Sequence, residues 1–164
     1  MVKLYLIRHG IAAEREDYTE DALRPLTSEG KQKTKQVAQQ LFNFGLRFDL
    51  ILTSPLVRAR QTADILKAIG LSSQLEESTH LTPEGNIDSW LKWLEEWQNK
   101  GGSSLALVGH EPNLGEWTEI LVWGEAKGNL LVKKAGVIGV QLAESGSPVG
   151  RSLLFWLTPP KFLL

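Results

Sequence analysis

The stretch Leu4-Tyr5-Leu6-Ile7-Arg8-His9-Gly10 decides how this chain is read. Val2 to Ile7 suits a buried strand, yet the run ends in an arginine and a histidine set against a glycine. Two cationizable side chains at the end of a buried run need a partner. An anion is the obvious candidate.

Two more apolar runs share the design. Leu50 to Thr53 leads into Ser54-Pro55, and Ser104 to Gly109 ends at His110. Between them lie segments with helical spacing: Glu29 or Lys31 to Phe44, with Val37, Ala38, Leu41 and Phe44 on one face, then Ser54 to Gly70, then Ile87 to Gln98. Thr27 or Ser28 suits a helix cap, and Ser54 before Pro55 reads as a helix start. Residues 73 to 79 suit a short strand, and a further helix is expected in Glu111 to Gly124. The segments 135–143 and 152–159 suit an antiparallel pair. Strands alternating with helices predict an α/β fold, a three-layer α/β/α domain whose mostly parallel central sheet has an antiparallel edge. No repeat or linker divides the 164 residues, so a single domain over 1–164 is expected. Trp90, Trp93 and Trp97 share one helical face and read as packing.

In open α/β sheets ligands bind beyond the carboxyl ends of the strands. Arg8, His9 and His110 would reach that rim directly, and Arg58 would join them from the first turn of the helix after the 50–53 strand. Guanidinium forks match phosphate oxygens two at a time, and helix N-terminal amides favour an anion, so the set has the chemistry of a phosphate site. One imidazole can attack phosphorus when neutral, and the other can donate hydrogen bonds to phosphoryl oxygens.

Composition narrows the alternatives. A net charge of -1 argues against a broad basic surface for nucleic acid or anionic membrane. Without cysteine there is no disulfide or thiolate chemistry, which fits a reducing cytosol. No apolar run reaches the roughly 20 residues of a membrane span. A cytoplasmic monomer is the expectation. Two histidines flanked by arginines would repel a divalent cation, so neither metal nor other cofactor is expected. The acidic run Glu14 to Asp21 reads as a solvated loop, and Lys133 and Lys134 as an exposed turn that can also line the mouth of the site.

Three motifs carry a resemblance. Leu6-Ile7-Arg8-His9-Gly10, Ser54 to Ala63 (SPLVRARQTA) and Leu107 to Pro112 (LVGHEP) resemble, in order, the signatures of the histidine phosphatase superfamily, whose fold is phosphoglycerate mutase-like. Arg24 to Gly30 (RPLTSEG) and Leu81 to Gly85 (LTPEG) extend the similarity to its SixA-type phosphohistidine phosphatases. The resemblance implies that His9 is the nucleophile of a covalent phosphohistidine intermediate, and that Arg8, Arg58 and His110 bind the phosphoryl group. The wider superfamily uses a glutamate as proton donor. The comparable place here holds His80, which leaves His80, Glu84 or water as the source of the proton.

Only 47 residues separate Thr62 from His110, an interval in which larger relatives carry a covering insertion. An open pocket is expected, suited to a phosphoryl group presented on a protein. The implied substrate is the phosphohistidine of a histidine phosphotransfer domain in a two-component phosphorelay. A small-molecule phosphomonoesterase and a noncatalytic phosphate-binding module are the alternatives.

Overall fold

The computed structural model describes residues 1–164. Six strands form one sheet: β1 (Lys3–Arg8), β2 (Leu50–Thr53), β3 (Leu75–Glu77), β4 (Ser104–Gly109), β5 (Val137–Gln141) and β6 (Leu153–Thr158). Their order is β3-β2-β4-β1-β5-β6. The first four are mutually parallel, whereas β5 runs antiparallel to both β1 and β6. The expected α/β architecture with an antiparallel edge is therefore present.

Four helices cover the sheet: α1 (Ser28–Asn43), α2 (Val57–Ile69), α3 (Ile87–Asn99) and α4 (Asn113–Trp123). The apolar runs of the parallel strands follow from coverage on both faces, because alternate side chains point to opposite sides. Leu4, Leu6, Leu50, Leu52, Leu105 and Leu107 join Trp90, Leu94, Leu114, Trp117 and Leu121 of α3 and α4. Tyr5, Ile7, Ile51, Ala106 and Val108 face the other way and meet Val37, Ala38, Leu41, Ala59, Ala63 and Leu66 of α1 and α2. Trp90 is fully buried with its ring centroid 5.3 Å from that of Trp117, while Trp93 and Trp97 stack half-buried beside this core. Removing such an indole typically costs about 3–5 kcal/mol.

Local chemistry sets the helix ends. Thr27 caps α1 through its side-chain oxygen, which accepts the Gly30 N–H at 2.9 Å, and Asn86 does the same for α3 at Asp88 and Ser89. Gly30 also lets α1 approach the loop behind β1, since a Cβ there would strike the Ile11 carbonyl. The start of α2 differs from the sequence expectation. Leu56, not Ser54, is the residue before its first turn, and Ser54 is fully buried at the end of β2. Its hydroxyl instead takes the Leu56 N–H at 3.2 Å and meets His110, so it serves a longer-range contact.

No helix is long and apolar enough to cross a membrane.

Candidate active site

Arg8 ends β1, His9 follows it, His110 follows β4, and Arg58 sits in the first turn of α2 after β2. Adjacent parallel strands, with β4 between β1 and β2, bring these residues to one rim. They line a cavity of about 290 Å³ together with Arg15, Asp21, Arg24, Pro83, Glu111 and Lys134, and Pro83 is the one lining residue without an ionisable side chain.

His9 is held in a defined orientation. Its Nδ1 lies 2.7 Å from the Gly10 carbonyl oxygen, which can only accept, so Nδ1 carries the ring proton and Nε2 keeps its lone pair. The Nε–H of Arg58 points at that lone pair from 3.3 Å. Burial pushes the His9 pKa down to about 3, the Gly10 bond works against this, and His110, Arg58 and Arg8 add to it. The imidazole is neutral throughout the physiological range.

His110 lies beside it, with ring centroids 5.3 Å apart. Its Nε2 is 2.8 Å from Ser54 Oγ, and its Nδ1 is buried without a partner. Burial, aided chiefly by the Arg58 charge, lowers its pKa to about 4.

The arginines have different supports. Arg58 is almost wholly buried and gives one terminal nitrogen to the Asp21 carbonyl at 2.9 Å and the other to Asp21 Oδ2 at 3.0 Å. Arg24 Nε holds the second Asp21 oxygen at 2.8 Å. Burial opposes ionisation of Asp21, but the hydrogen bonds from Arg24 and Arg58 keep its carboxyl below the usual carboxylate range. Arg8 donates to the Val132 carbonyl at 3.1 Å, while its Nε is buried unpaired.

Glu111, next in sequence to His110, accepts the Gly115 N–H at 2.7 Å through Oε1 and leaves Oε2 buried without a partner. That bond uses one of the free amides in the first turn of α4. Burial raises the Glu111 pKa to about 7, against the pull of the Gly115 amide and of Arg8.

The cavity thus gathers Arg8, His9, Arg58 and His110. His80 lies elsewhere: it is half-buried in the Thr79–Leu81 turn, outside the cavity lining, and its neighbour Pro83 reaches the wall instead. Glu84 is exposed and also outside the lining. Asp21 and Glu111 went unassigned in the sequence. The acidic run from Glu14 looked merely solvated, and the structure corrects this for Asp21, which two arginines claim. Only the placing of an acid three residues before Arg24 hinted at the contact. Nothing in the sequence marks Glu111 beyond its adjacency to His110.

Residues 4–110 match the model of the histidine phosphatase superfamily, branch 1. The chain belongs to the histidine phosphatase superfamily. It is 48% identical to an uncharacterized protein of Picosynechococcus over 99% of both chains. It is 29% identical, over 89% of each chain, to phosphohistidine phosphatase SixA of Escherichia coli. Among solved structures, the protein histidine phosphatase SixA complexed with tungstate superposes with a TM-score of 0.87 at 28% identity, covering 99% of this chain and all of that one. The family and these likenesses establish a phosphatase of SixA type.

Proposed function

We propose that this phosphatase removes the phosphoryl group from a phosphohistidine on a protein, through a covalent phosphohistidine on His9 and without a metal. The observation that carries the reading is the His9 tautomer. With Nδ1 committed to Gly10, the Nε2 lone pair faces the cationic cavity, the orientation an attacking imidazole needs.

In the first step the Nε2 lone pair forms a bond to phosphorus while the phosphorus–nitrogen bond of the substrate breaks. The departing imidazole takes that bond's electrons and a proton from water. Arg8 and Arg58 neutralise the equatorial oxygens, and a guanidinium already aimed at Nε2 needs little reorganisation to do so. His110 holds a phosphoryl oxygen. Ser54 Oγ accepts the Leu56 N–H and sits 2.8 Å from His110 Nε2; in the proposed tautomer its proton goes to Nε2, and Nδ1, which has no other partner, carries the ring proton. In the second step water attacks the phosphorus of phospho-His9, inorganic phosphate leaves, and the Nε2 lone pair is restored. The tungstate bound by the SixA relative supports this reading, since tungstate is a tetrahedral oxyanion like phosphate.

The proposed substrate is the phosphohistidine of a histidine phosphotransfer domain, and the proposed role is to drain a two-component phosphorelay from the cytoplasm as a monomer. The test compares phosphate release from a phosphorylated phosphotransfer domain with release from a panel of phosphomonoesters, in EDTA, with His9→Ala as the blank. Fast His9-dependent turnover of the protein substrate, with an acid-labile, base-stable phosphoryl-enzyme in rapid-quench samples, is expected. Preference for a small ester would replace this reading with a phosphomonoesterase, and no turnover of either would leave a phosphate-binding module.

A further inference from the structure

The cavity holds more positive charge than a phosphoryl group requires. Five cationic side chains line it, Arg8, Arg15, Arg24, Arg58 and Lys134, against the two carboxylates Asp21 and Glu111. Asp21 is shared between Arg24 and Arg58. A phosphoryl group brings close to two negative charges, which Arg8 and Arg58 meet at the floor. Arg15 and Lys134 are left over. Both are exposed, and neither has a carboxylate within ion-pair distance.

These two cations stand on different, anchored lips. Lys134 sits between Val132, whose carbonyl accepts from Arg8, and Ala135, whose N–H donates to the Arg8 and His9 carbonyls at 3.0 and 3.1 Å. Arg15 begins a 3-10 turn (Arg15–Asp17) on the loop after β1, which is tied down by Arg24 donating to the Ala13 carbonyl at 2.9 Å and by the Ala13 N–H donating to Pro25. Its acidic neighbours Glu14, Glu16, Asp17 and Glu20 lie outside the cavity lining, so the loop presents its one cation of that turn to the mouth.

We propose that Arg15 and Lys134 form a specificity rim that selects a phosphohistidine set in an acidic protein surface, its Asp and Glu side chains pairing with the two cations. This inference rests on the proposed phosphohistidine activity and adds the chemistry of the partner around it. A protein face is the occupant because the unpaired cations stand at the exposed mouth, where groups flanking the reacting side chain would lie. An exposed ion pair is worth a factor of up to about five in affinity, so two pairs gained against two repulsions give about tenfold or more.

The test uses three synthetic peptides, each with one phosphohistidine flanked by glutamates, glutamines or lysines. At low ionic strength kcat/KM is expected to be about tenfold higher for the glutamate peptide than for the lysine peptide. That ratio should shrink toward one in about 0.5 M salt, where screening is effective within a few ångströms. Arg15→Gln with Lys134→Gln should abolish the ratio, and Arg15→Glu with Lys134→Glu should invert it, a gain that damage to the fold cannot produce. Equal turnover of the three peptides by the wild type overturns the rim, as does a preference that survives the double glutamine change. Hydrolysis of the phosphotransfer domain but of none of the peptides overturns the rim alone, whereas hydrolysis of neither overturns the phosphohistidine reading and the rim with it.

Discussion

Replacing Glu111 by glutamine should stabilise the protein, and only above a definite pH. The side chain is half-buried, its Oε1 holds the Gly115 N–H, and its Oε2 has no partner, so ionisation puts an incompletely solvated charge beside α4. Its pKa rises from the ordinary 4.5 to about 7 for that reason. Below 4.5 both folded and unfolded chains carry the proton and the stabilising state is fully present. Between 4.5 and 7 the unfolded chain releases its proton first, so stability falls as pH rises, and above 7 the whole cost is incurred. Taken at face value that cost is about 3 kcal/mol. Water reaches part of the side chain and screens it, which leaves about 1–2 kcal/mol. Glutamine keeps the acceptor for Gly115 and never ionises. Urea unfolding followed by tryptophan fluorescence should therefore show the variant and wild type equal near pH 4.5, with the variant about 1–2 kcal/mol more stable near pH 8. His9 and His110 titrate in both proteins and cancel from the difference. A gap of the same size at both pH values would refute the reasoning, since it would place the effect in packing rather than in a proton.

Other expectations concern turnover. With the His9 pKa at about 3 and that of His110 at about 4, burial being the first cause of each, kcat/KM for a phosphohistidine peptide should show no acid-side limb near 6.5; an enzyme-borne limb there, measured after subtracting spontaneous hydrolysis, would mean that a charged imidazole is being neutralised. Asp21→Ala removes the side-chain acceptors of one Arg58 nitrogen and one Arg24 nitrogen, leaving the backbone carbonyl for the other Arg58 nitrogen, and should lower kcat/KM about tenfold to a hundredfold, with Asp21→Asn recovering part; unchanged kinetics would show that Arg58 needs no such support. His80→Gln should slow turnover less than about threefold, because His80 is outside the cavity lining, whereas a loss of a hundredfold or more would make it the general acid.

The layers of the fold were legible because burial on both faces leaves a mark along the chain. In the central positions of β1, β2 and β4, Leu4–Ile7, Leu50–Leu52 and Leu105–Val108, each side chain is claimed by one helical layer or the other, so the runs are apolar without alternation. The placing of Arg8, His9 and His110 was legible for a related reason: a polar residue at the end of such a run has one place to go, the rim. Ser54 was misread because its local chemistry is that of a cap, and the competing partner, His110, is 56 residues away. Asp21 was missed on similar grounds, its contact with Arg58 spanning 37 residues. A carboxylate in a charged loop looks the same in sequence whether water or a buried guanidinium receives it. Glu111 differs again, since its unusual ionisation comes from burial against α4, which no neighbouring residue announces.

The chemistry of the cavity wall bears on the substrate through the acids it offers. His80 and Glu84 lie outside it, Asp21 is held ionised by two arginines, and the Glu111 carboxyl is turned to Gly115 with its second oxygen buried. Of these only Glu111, whose pKa of about 7 keeps it partly protonated near neutral pH, has a proton to give a departing alkoxide, and its free oxygen is buried. A departing imidazole makes a smaller demand, because its nitrogen carries away the bonding electrons without becoming a strong base and takes its proton from water. A strongly cationic cavity whose wall lacks His80 and Glu84 and whose Asp21 is held ionised supports the proposed phosphorus–nitrogen substrate, and Glu111 is the acid an ester substrate would have to recruit. On the proposed function Arg8 and Arg58 are the arginines that meet the phosphoryl group, and Arg58 is the better anchored of the two. When no acid assists the leaving group, stabilising the charge on the transferring phosphoryl is the larger part of what the protein can contribute.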